Sequence, residues 1–295
     1  MRELGRIDLY TGCASSGQGI ETVLAQILAD RLQVPLTWVR VFHGTTSFVD
    51  EGFGTYHSRA VVVGGSAVVV AADALADQLI ALCAKRTGLD AADLECRGGD
   101  VHRRGTTGGP PVLTLAALVA EGSAEATAAL EAVGRFRPAR LTYTYGAQIA
   151  HVAVDPETGV VDVVKLVAVE DVGRAINPLL VHGQAVGAAV QGLGGALLEE
   201  LVYDASGQLV TGTFADYAMP TAAAFPHIDA ITLEEAPSAL NPLGAKGAGE
   251  GGLVATGAAV ANAVAAALRP EGVTVRDLPL SPDRVASLLK QSREG

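Results

Sequence analysis

The 295-residue chain is short of cysteine, aromatics and clustered positive charge, and each shortage narrows what it can be. Cys13, Cys83 and Cys96 stand far apart with no CxxC pair, so their spacing suggests neither an iron–sulfur cluster nor a zinc site. Isolated thiols fit a reducing compartment, and a cytoplasmic location is expected. Aromatic residues make up only 4%, while Gly and Ala are abundant. The packing must therefore be close and rich in backbone contacts. The formal net charge is −11 with no Lys/Arg run, which argues against a nucleic-acid or anionic-membrane surface. The opening Met-Arg-Glu-Leu-Gly has no apolar run behind basic residues and does not read as a secretory signal. The longest apolar stretches are Ala-rich and interrupted by Asp or Gly. They read as buried helices, with no membrane span expected.

What is present supports a sizeable core, since 49% of residues are apolar. The length fits one large domain or two smaller ones. Periodicity predicts strands at residues 6–10 and 36–42, a helix at 21–33 and a long buried helix at 61–84. Residues 97–111 read as a charged, Gly-rich connector, followed by short helices at 114–121 and 123–134. The character changes near Pro138. Residues 141–154 and 160–169 read as long strands joined by the hairpin turn Asp155-Pro-Glu-Thr-Gly159. Asn177 is a plausible cap for a helix over 178–200, with Pro178 at its first position. A turn at 203–209, a strand at 230–233, a helix at 253–268 and a last short helix from Ser281 complete the pattern. Strands and helices mix without strict alternation, so the expected class is α+β, with mixed sheets and packed helices.

The stretch richest in chemistry is Asn241-Pro-Leu-Gly-Ala-Lys-Gly-Ala-Gly-Glu250-Gly-Gly. One carboxylate stands in a run with five glycines, where backbone can approach a ligand closely. Such a loop can aim one charge at a flat, bulky group, or it can be a turn whose Glu250 favours a helix dipole. Near the N-terminus, Gly17 and Gly19 flank Gln18 in Thr11-Gly-Cys-Ala-Ser-Ser-Gly17-Gln18-Gly19-Ile-Glu-Thr22, where a helical pattern begins. Free N–H groups at a helix start can hold an anion. An ordinary helix entry after a glycine turn reads the same way. Two further runs are Gly52-Phe-Gly-Thr55-Tyr-His-Ser58-Arg59 and Asn177-Pro-Leu-Leu-Val-His-Gly183-Gln184-Ala-Val-Gly187.

In this order and spacing, the four runs resemble the large molybdenum subunit of the xanthine dehydrogenase / aldehyde oxidase / carbon monoxide dehydrogenase family. The resemblance extends through Val152-Ala-Val-Asp-Pro-Glu-Thr-Gly159, Asp216-Tyr-Ala-Met-Pro-Thr221 and Val275-Arg-Asp-Leu-Pro-Leu-Ser-Pro. It implies a molybdopterin cofactor, expected as the cytosine dinucleotide, that holds molybdenum through its dithiolene. The protein then supplies no direct metal ligand. It implies Glu250 as the general base that takes a proton from the oxygen nucleophile attacking an electron-poor carbon. Gln18 and Gln184 match glutamines beside the pterin, and Gly17 and Gly19 would let backbone approach it. Thr55, Ser58 and Arg59 match the cofactor-phosphate and pterin loop, while Lys246, Gly247 and Gly249 lie in the run before the base. The fold implied is the molybdopterin-binding type of this family. Residues 1–137 form a first lobe, truncated on its N-terminal side, and residues 138–295 a second lobe with the Glu250 loop.

The sequence departs from the family pattern at Ile20, where His is common, at Thr45 and at His57. These positions bear on substrate type and fine cofactor contacts. The match covers the C-terminal part of the much longer family subunit, so a chain supplying the N-terminal half is an expected partner. An iron–sulfur small subunit with [2Fe-2S] and a medium subunit with FAD are expected to carry electrons away from a small-molecule substrate. The activity implied is oxidation of an aldehyde or N-heterocycle. A carbon monoxide dehydrogenase-type fragment and a non-catalytic cofactor-binding scaffold stay open as alternatives. Scattered histidines (His43, His151, His182, His227) are expected to pack or face solvent, Asp171 to close a turn or polar network, and Trp38 to lie in the core.

Overall fold

Local chemistry sets many of the element boundaries. The computed structural model describes residues 6–294 apart from Phe53, Thr107 and Pro226. In chain order it has β1 (Ile7–Tyr10), α1 (Ile20–Leu32), β2 (Val39–Phe42), α2 (Ser66–Thr87), β3 (Leu94–Arg97) and β4 (Asp100–Arg103). There follow α3 (Leu115–Glu121), α4 (Ala124–Ala129), β5 (Tyr145–Val154), β6 (Val161–Asp171), α5 (Pro178–Leu197), β7 (Ile228–Leu233), α6 (Gly251–Val254), α7 (Thr256–Ala267) and α8 (Pro282–Glu294). Thr114, Ser123 and Asn177 cap α3, α4 and α5 by accepting N–H groups of Ala117, Ala126 and Leu180. The class is α+β, with helices and mixed sheets. The chain divides into two compact units, Met1–Thr142 with Pro237–Lys246, and Tyr143–Ala236 with Gly247–Gly295.

In the first unit β1 and β2 pair in parallel, Ile7 opposite Val39. Strand β1 therefore has a neighbour on one side. Helices α1 and α2 pack together. Val68, Val69, Ala72, Leu75, Leu79, Leu82 and Cys83 are buried along one side of α2, the i, i+3, i+4 stripe of a core helix. By length and composition the span Ala60–Thr87 could also cross a membrane, but that stripe packs against α1 and β3. A Cβ on Gly65 would come within 2.8 Å of both Ile27 and Leu243, so the segment Pro237–Lys246 lies tightly on the first unit.

The second unit is a three-stranded sheet in the order β5-β6-β7, with β5 antiparallel and β7 parallel to β6. Asp155 closes the β5–β6 hairpin, its carboxylate accepting Glu157 N–H at 2.9 Å and Thr158 Oγ1–H at 2.7 Å. Helices α5 and α7 cover one face. Leu166, Leu193, Val260, Val264, Leu280, Val285 and Leu289 form the centre of its core, each Leu contributing about 1.5–3 kcal/mol by burial.

Four sequence expectations need correction. The connector at 97–111 contains an antiparallel hairpin, β3–β4, turning on Gly98 and Gly99, both with positive φ. The strand at 36–42 begins as a 3-10 turn, Leu36–Trp38, and Trp38 is only half-buried. The long helix opens with a π-helical turn, Ala60–Gly65. The helix at 253–268 is two helices, α6 and α7, broken at Ala255.

Candidate functional site

The first unit presents a loop between β1 and α1. Gly12 lies against Gly52 so closely that a Cβ on Gly12 would stand 2.7 Å from the Glu51 carbonyl and 2.8 Å from Gly52 Cα. Only glycine backbones can bring the chain at Gly12 and at Gly52 this close. Gly17 and Gly19 have φ of 102° and 77°, and Gly19 opens α1 with no side-chain cap. That leaves first-turn N–H groups for an anionic ligand. Gln18 folds back on its own loop, with Oε1 accepting Ser16 N–H at 2.7 Å and Nε2 donating to the Ala14 carbonyl at 3.1 Å. Thr55 Oγ1 donates to the same carbonyl. Gln18 and Thr55, distant in sequence, thus converge on Ala14.

The adjoining residues are strained. His57 and Ser58 both take positive φ, 56° and 49°. Each costs roughly 1–2 kcal/mol for a residue with a Cβ, and such outliers cluster at ligand clamps. Arg59 follows, its guanidinium 5.0 Å from the centre of the Tyr56 ring, a cation–π distance. Cys13 points its thiol at the Ala60 carbonyl, 3.8 Å away. Burial pushes that thiol's pKa up, against the lowering effects of Thr11 and Arg59.

His43 belongs to a network the sequence did not reveal. Its Nε2 lies 2.8 Å from Glu21 Oε1, Ser15 Oγ donates to Glu21 Oε2 at 3.1 Å, and Ser15 N–H reaches His43 Nδ1 at 3.5 Å. Glu21's own backbone N–H, then His43 and Ser15, hold its carboxyl below the ordinary range. The network ties the residue-15 loop to α1 and to the end of β2.

The second unit carries Glu250, exposed and standing at the N-cap of α6. Its carbonyl accepts Leu253 N–H at 3.0 Å and Val254 N–H at 3.3 Å. Side chains at the start of the sheet grip the loop on both sides of it. Thr144 Oγ1 donates to the Gly247 carbonyl. Gln148 Nε2 donates to the carbonyls of Gly251 and Gly252 at 3.2 and 2.9 Å. Gln148 Oε1 accepts Thr256 Oγ1–H at 2.7 Å. Gly252 sits against α5, where an added Cβ would collide with the Ala185 carbonyl and stand 3.0 Å from Ala188 Cβ. Gln184, the residue before Ala185, is half-buried on α5. Lys246 is buried, beside a turn in which Asn241 donates to the Ala245 carbonyl at 2.9 Å.

Of the residues singled out in the sequence, Gly17, Gln18, Gly19, Thr55, Ser58, Arg59 and Lys246 belong to the first unit, and Gln184, Gly247, Gly249 and Glu250 to the second. Asp171 closes a polar network as expected, accepting Gly173 N–H at 2.9 Å and Ala236 N–H at 3.0 Å. Thr144, Gln148 and Thr256 were missed. The available signal was a polar Gln148 in β5 among the inward positions Ala150, Val152 and Val154. Among the described residues no group of three or more His, Cys, Asp or Glu could hold a metal ion.

Residues 1–226 match the family model of the molybdopterin cofactor-binding domain, and the chain belongs to that family. The gamma subunit of the 6-hydroxypseudooxynicotine dehydrogenase complex of Paenarthrobacter nicotinovorans is 38% identical over 286 residues, covering 96% of this chain and 36% of that protein. The carbon monoxide dehydrogenase large chain of Hydrogenophaga pseudoflava is 32% identical over 95% of this chain and 35% of its own length. Among solved structures, quinoline 2-oxidoreductase from Pseudomonas putida 86 superimposes with a TM-score of 0.84 at 36% identity, covering 97% of this chain and 37% of that one. The Cu,Mo-CO dehydrogenase gives a TM-score of 0.85 at 29% identity, covering 96% of this chain and 36% of that one. The chain spans little more than a third of the length of these relatives.

Proposed function

We propose that the chain is the C-terminal portion of the cofactor-binding subunit of a molybdenum hydroxylase, with Glu250 as its general base. The observation that carries this reading is an exposed carboxylate on a glycine turn clamped from both sides by Thr144 and Gln148. A base must be held in place to be effective, and a scaffold has no use for that arrangement. The two units are read as two lobes of the cofactor-binding region.

The residues present fit the cofactor. A Cβ on Gly17 or Gly54 would meet nothing within 4 Å, so a flat ligand can lie directly on backbone there. The uncapped start of α1, the Thr55 and Ser58 hydroxyls and the Arg59 cation suit its phosphates, with Gln18, Gln184, Lys246, Gly247 and Gly249 as pterin contacts. The cytosine dinucleotide form matches this phosphate-directed set. When bound, the group supplies the two-electron redox chemistry and the oxygen transfer. This chain's part is to hold that group and to take a proton at Glu250. An N-terminal-half chain, an iron–sulfur subunit and an FAD subunit complete the proposed complex, in a cytoplasmic setting that suits its three free thiols.

The proposed substrate is an electron-poor N-heterocycle, with aldehydes as the second class. Nicotine 6-hydroxylase large subunit at 37% identity and quinoline 2-oxidoreductase at 36% support the heterocycle. Identities to carbon monoxide dehydrogenases are lower, at 32% and 29%. The test is turnover of the assembled complex on quinoline, nicotine, an aromatic aldehyde and carbon monoxide in 18O-labelled water. Label entering a hydroxylated heterocycle is expected. Oxidation of carbon monoxide alone, or of nothing, would reject the reading.

Gln18→Ala and Gln184→Ala test the cofactor contacts. Either change is expected to lower molybdenum occupancy or to alter the Mo(V) electron-paramagnetic signal of the purified complex. Full molybdenum and pterin with an unchanged spectrum in both variants would make the two loops structural turns.

A further inference from the structure

Glu170 is the most anomalous side chain in the second unit. It is only 4% exposed, and neither carboxyl oxygen has a hydrogen-bond partner among the described residues. In β6 it continues the inward positions Leu166 and Ala168, both buried, where an apolar residue would be ordinary. Its carboxyl instead lies against Gly251, the residue after Glu250. A Cβ built on Gly251 would collide with both carboxyl oxygens and the carboxyl carbon. The missing side chain at Gly251 is therefore the space Glu170 occupies.

We propose that Glu170 is a positioning residue for Glu250, its carboxyl forming the floor on which the Gly251 turn rests. The proposal deepens the reading of Glu250 as the base and rests on it. Three contacts then fix the turn: Thr144 at Gly247, Gln148 at the Gly251 and Gly252 carbonyls, and Glu170 under Gly251 Cα.

The floor works as a neutral acid. Opposite Glu170 in the sheet are Gly146 on β5 and Thr232 on β7, and Gln148 is the next inward residue of β5. From the helices come Gly251 of α6 and, packed on the same turn, Ala185 and Ala188 of α5. None of these titrates. Asp171, next along β6, points the other way and is held by the Gly173 and Ala236 amides. Glu250 is the adjoining carboxylate. Burial without a compensating cation among the described residues raises the pKa of Glu170 and favours its uncharged form. A buried carboxyl favoured in its neutral form can serve as an uncharged support beneath the turn. The sign for stability follows. A raised folded-state pKa means that stability is full below the unfolded value, about 4.3, and is lost as pH rises through the folded value.

The test uses the assembled holoenzyme with Glu170→Gln, Glu170→Asp, Glu170→Ala and Glu250→Gln. The infrared spectrum is expected to show a protonated carboxyl persisting above the ordinary glutamate pKa of about 4.3 that vanishes in Glu170→Gln and persists in Glu250→Gln. The melting temperature of Glu170→Gln relative to wild type is expected to rise as pH increases from about 4.3. Glu170→Asp and Glu170→Ala withdraw the floor and are expected to lower kcat by roughly 10–100-fold with little change in KM. Glu170→Gln, of the same shape and uncharged, should retain more turnover than either. If both shortened variants keep kcat within about twofold of wild type, or if no protonated carboxyl is lost in Glu170→Gln, the proposal is overturned. An active Glu250→Gln enzyme would overturn the base assignment instead, while the infrared and melting data still report the state of Glu170.

Discussion

Glu250→Gln is expected to cut turnover of the assembled enzyme by about 10²–10⁴-fold, the range for loss of a general base, with molybdenum content near normal. Gln keeps the size and shape of Glu but cannot take a proton. The expected loss therefore falls on the chemical step. The backbone hydrogen bonds at Glu250 come from its carbonyl to Leu253 and Val254, and the substitution leaves them in place. Steady-state kcat and metal analysis of the same preparation decide the matter. A variant with most of its turnover would remove Glu250 from the mechanism.

Gln148→Leu is expected to do comparable damage without touching the base. The change keeps bulk in β5 but removes the amide that donates to the Gly251 and Gly252 carbonyls and accepts from Thr256. Buried acceptors left without donors cost about 1–3 kcal/mol. The expected result is a lower melting temperature and a drop in kcat of order 10²-fold, because small misplacements of a catalytic group are expensive. KM should change little, since Gln148 is not expected to meet substrate. A Gln148→Leu enzyme with normal kcat and melting temperature would show that the turn is held by other contacts.

The parts of this arrangement that were legible in the sequence are those written in local chemistry. Asn177 before Pro178 gave the start of α5, and Asp155 with Gly159 gave the β5–β6 hairpin. The glycine runs around Gln18 and Glu250 marked backbone that must bend or be approached. Tertiary contacts were not legible. Gln148 meets Gly251 and Gly252 across more than a hundred residues, and no local pattern couples the two. The break at Ala255 follows from that grip together with Thr256, inside a run of Ala and Val that favours one continuous helix. Glu170 fell just past the expected strand at 160–169 and drew no reading, because the sequence does not show that its carboxyl is buried without a partner among the described residues.

The β3–β4 hairpin was missed for another reason. Gly98-Gly99 is a good two-residue turn signal, but Arg97, Asp100, His102 and Arg103 around it hide the alternation that marks a strand. The short pair is nonetheless anchored by Leu94 and Val101, both fully buried. The polar network of Ser15, Glu21 and His43 joins three elements, and spacing alone could not have assembled it.

The central claim is that this chain helps to hold a molybdenum cofactor, and the molybdenum content of the complex purified around it tests this most directly. Stoichiometric molybdenum and pterin per copy of the chain are the expected result. A correctly assembled complex with the proposed partner subunits in place, yet without molybdenum, would contradict it.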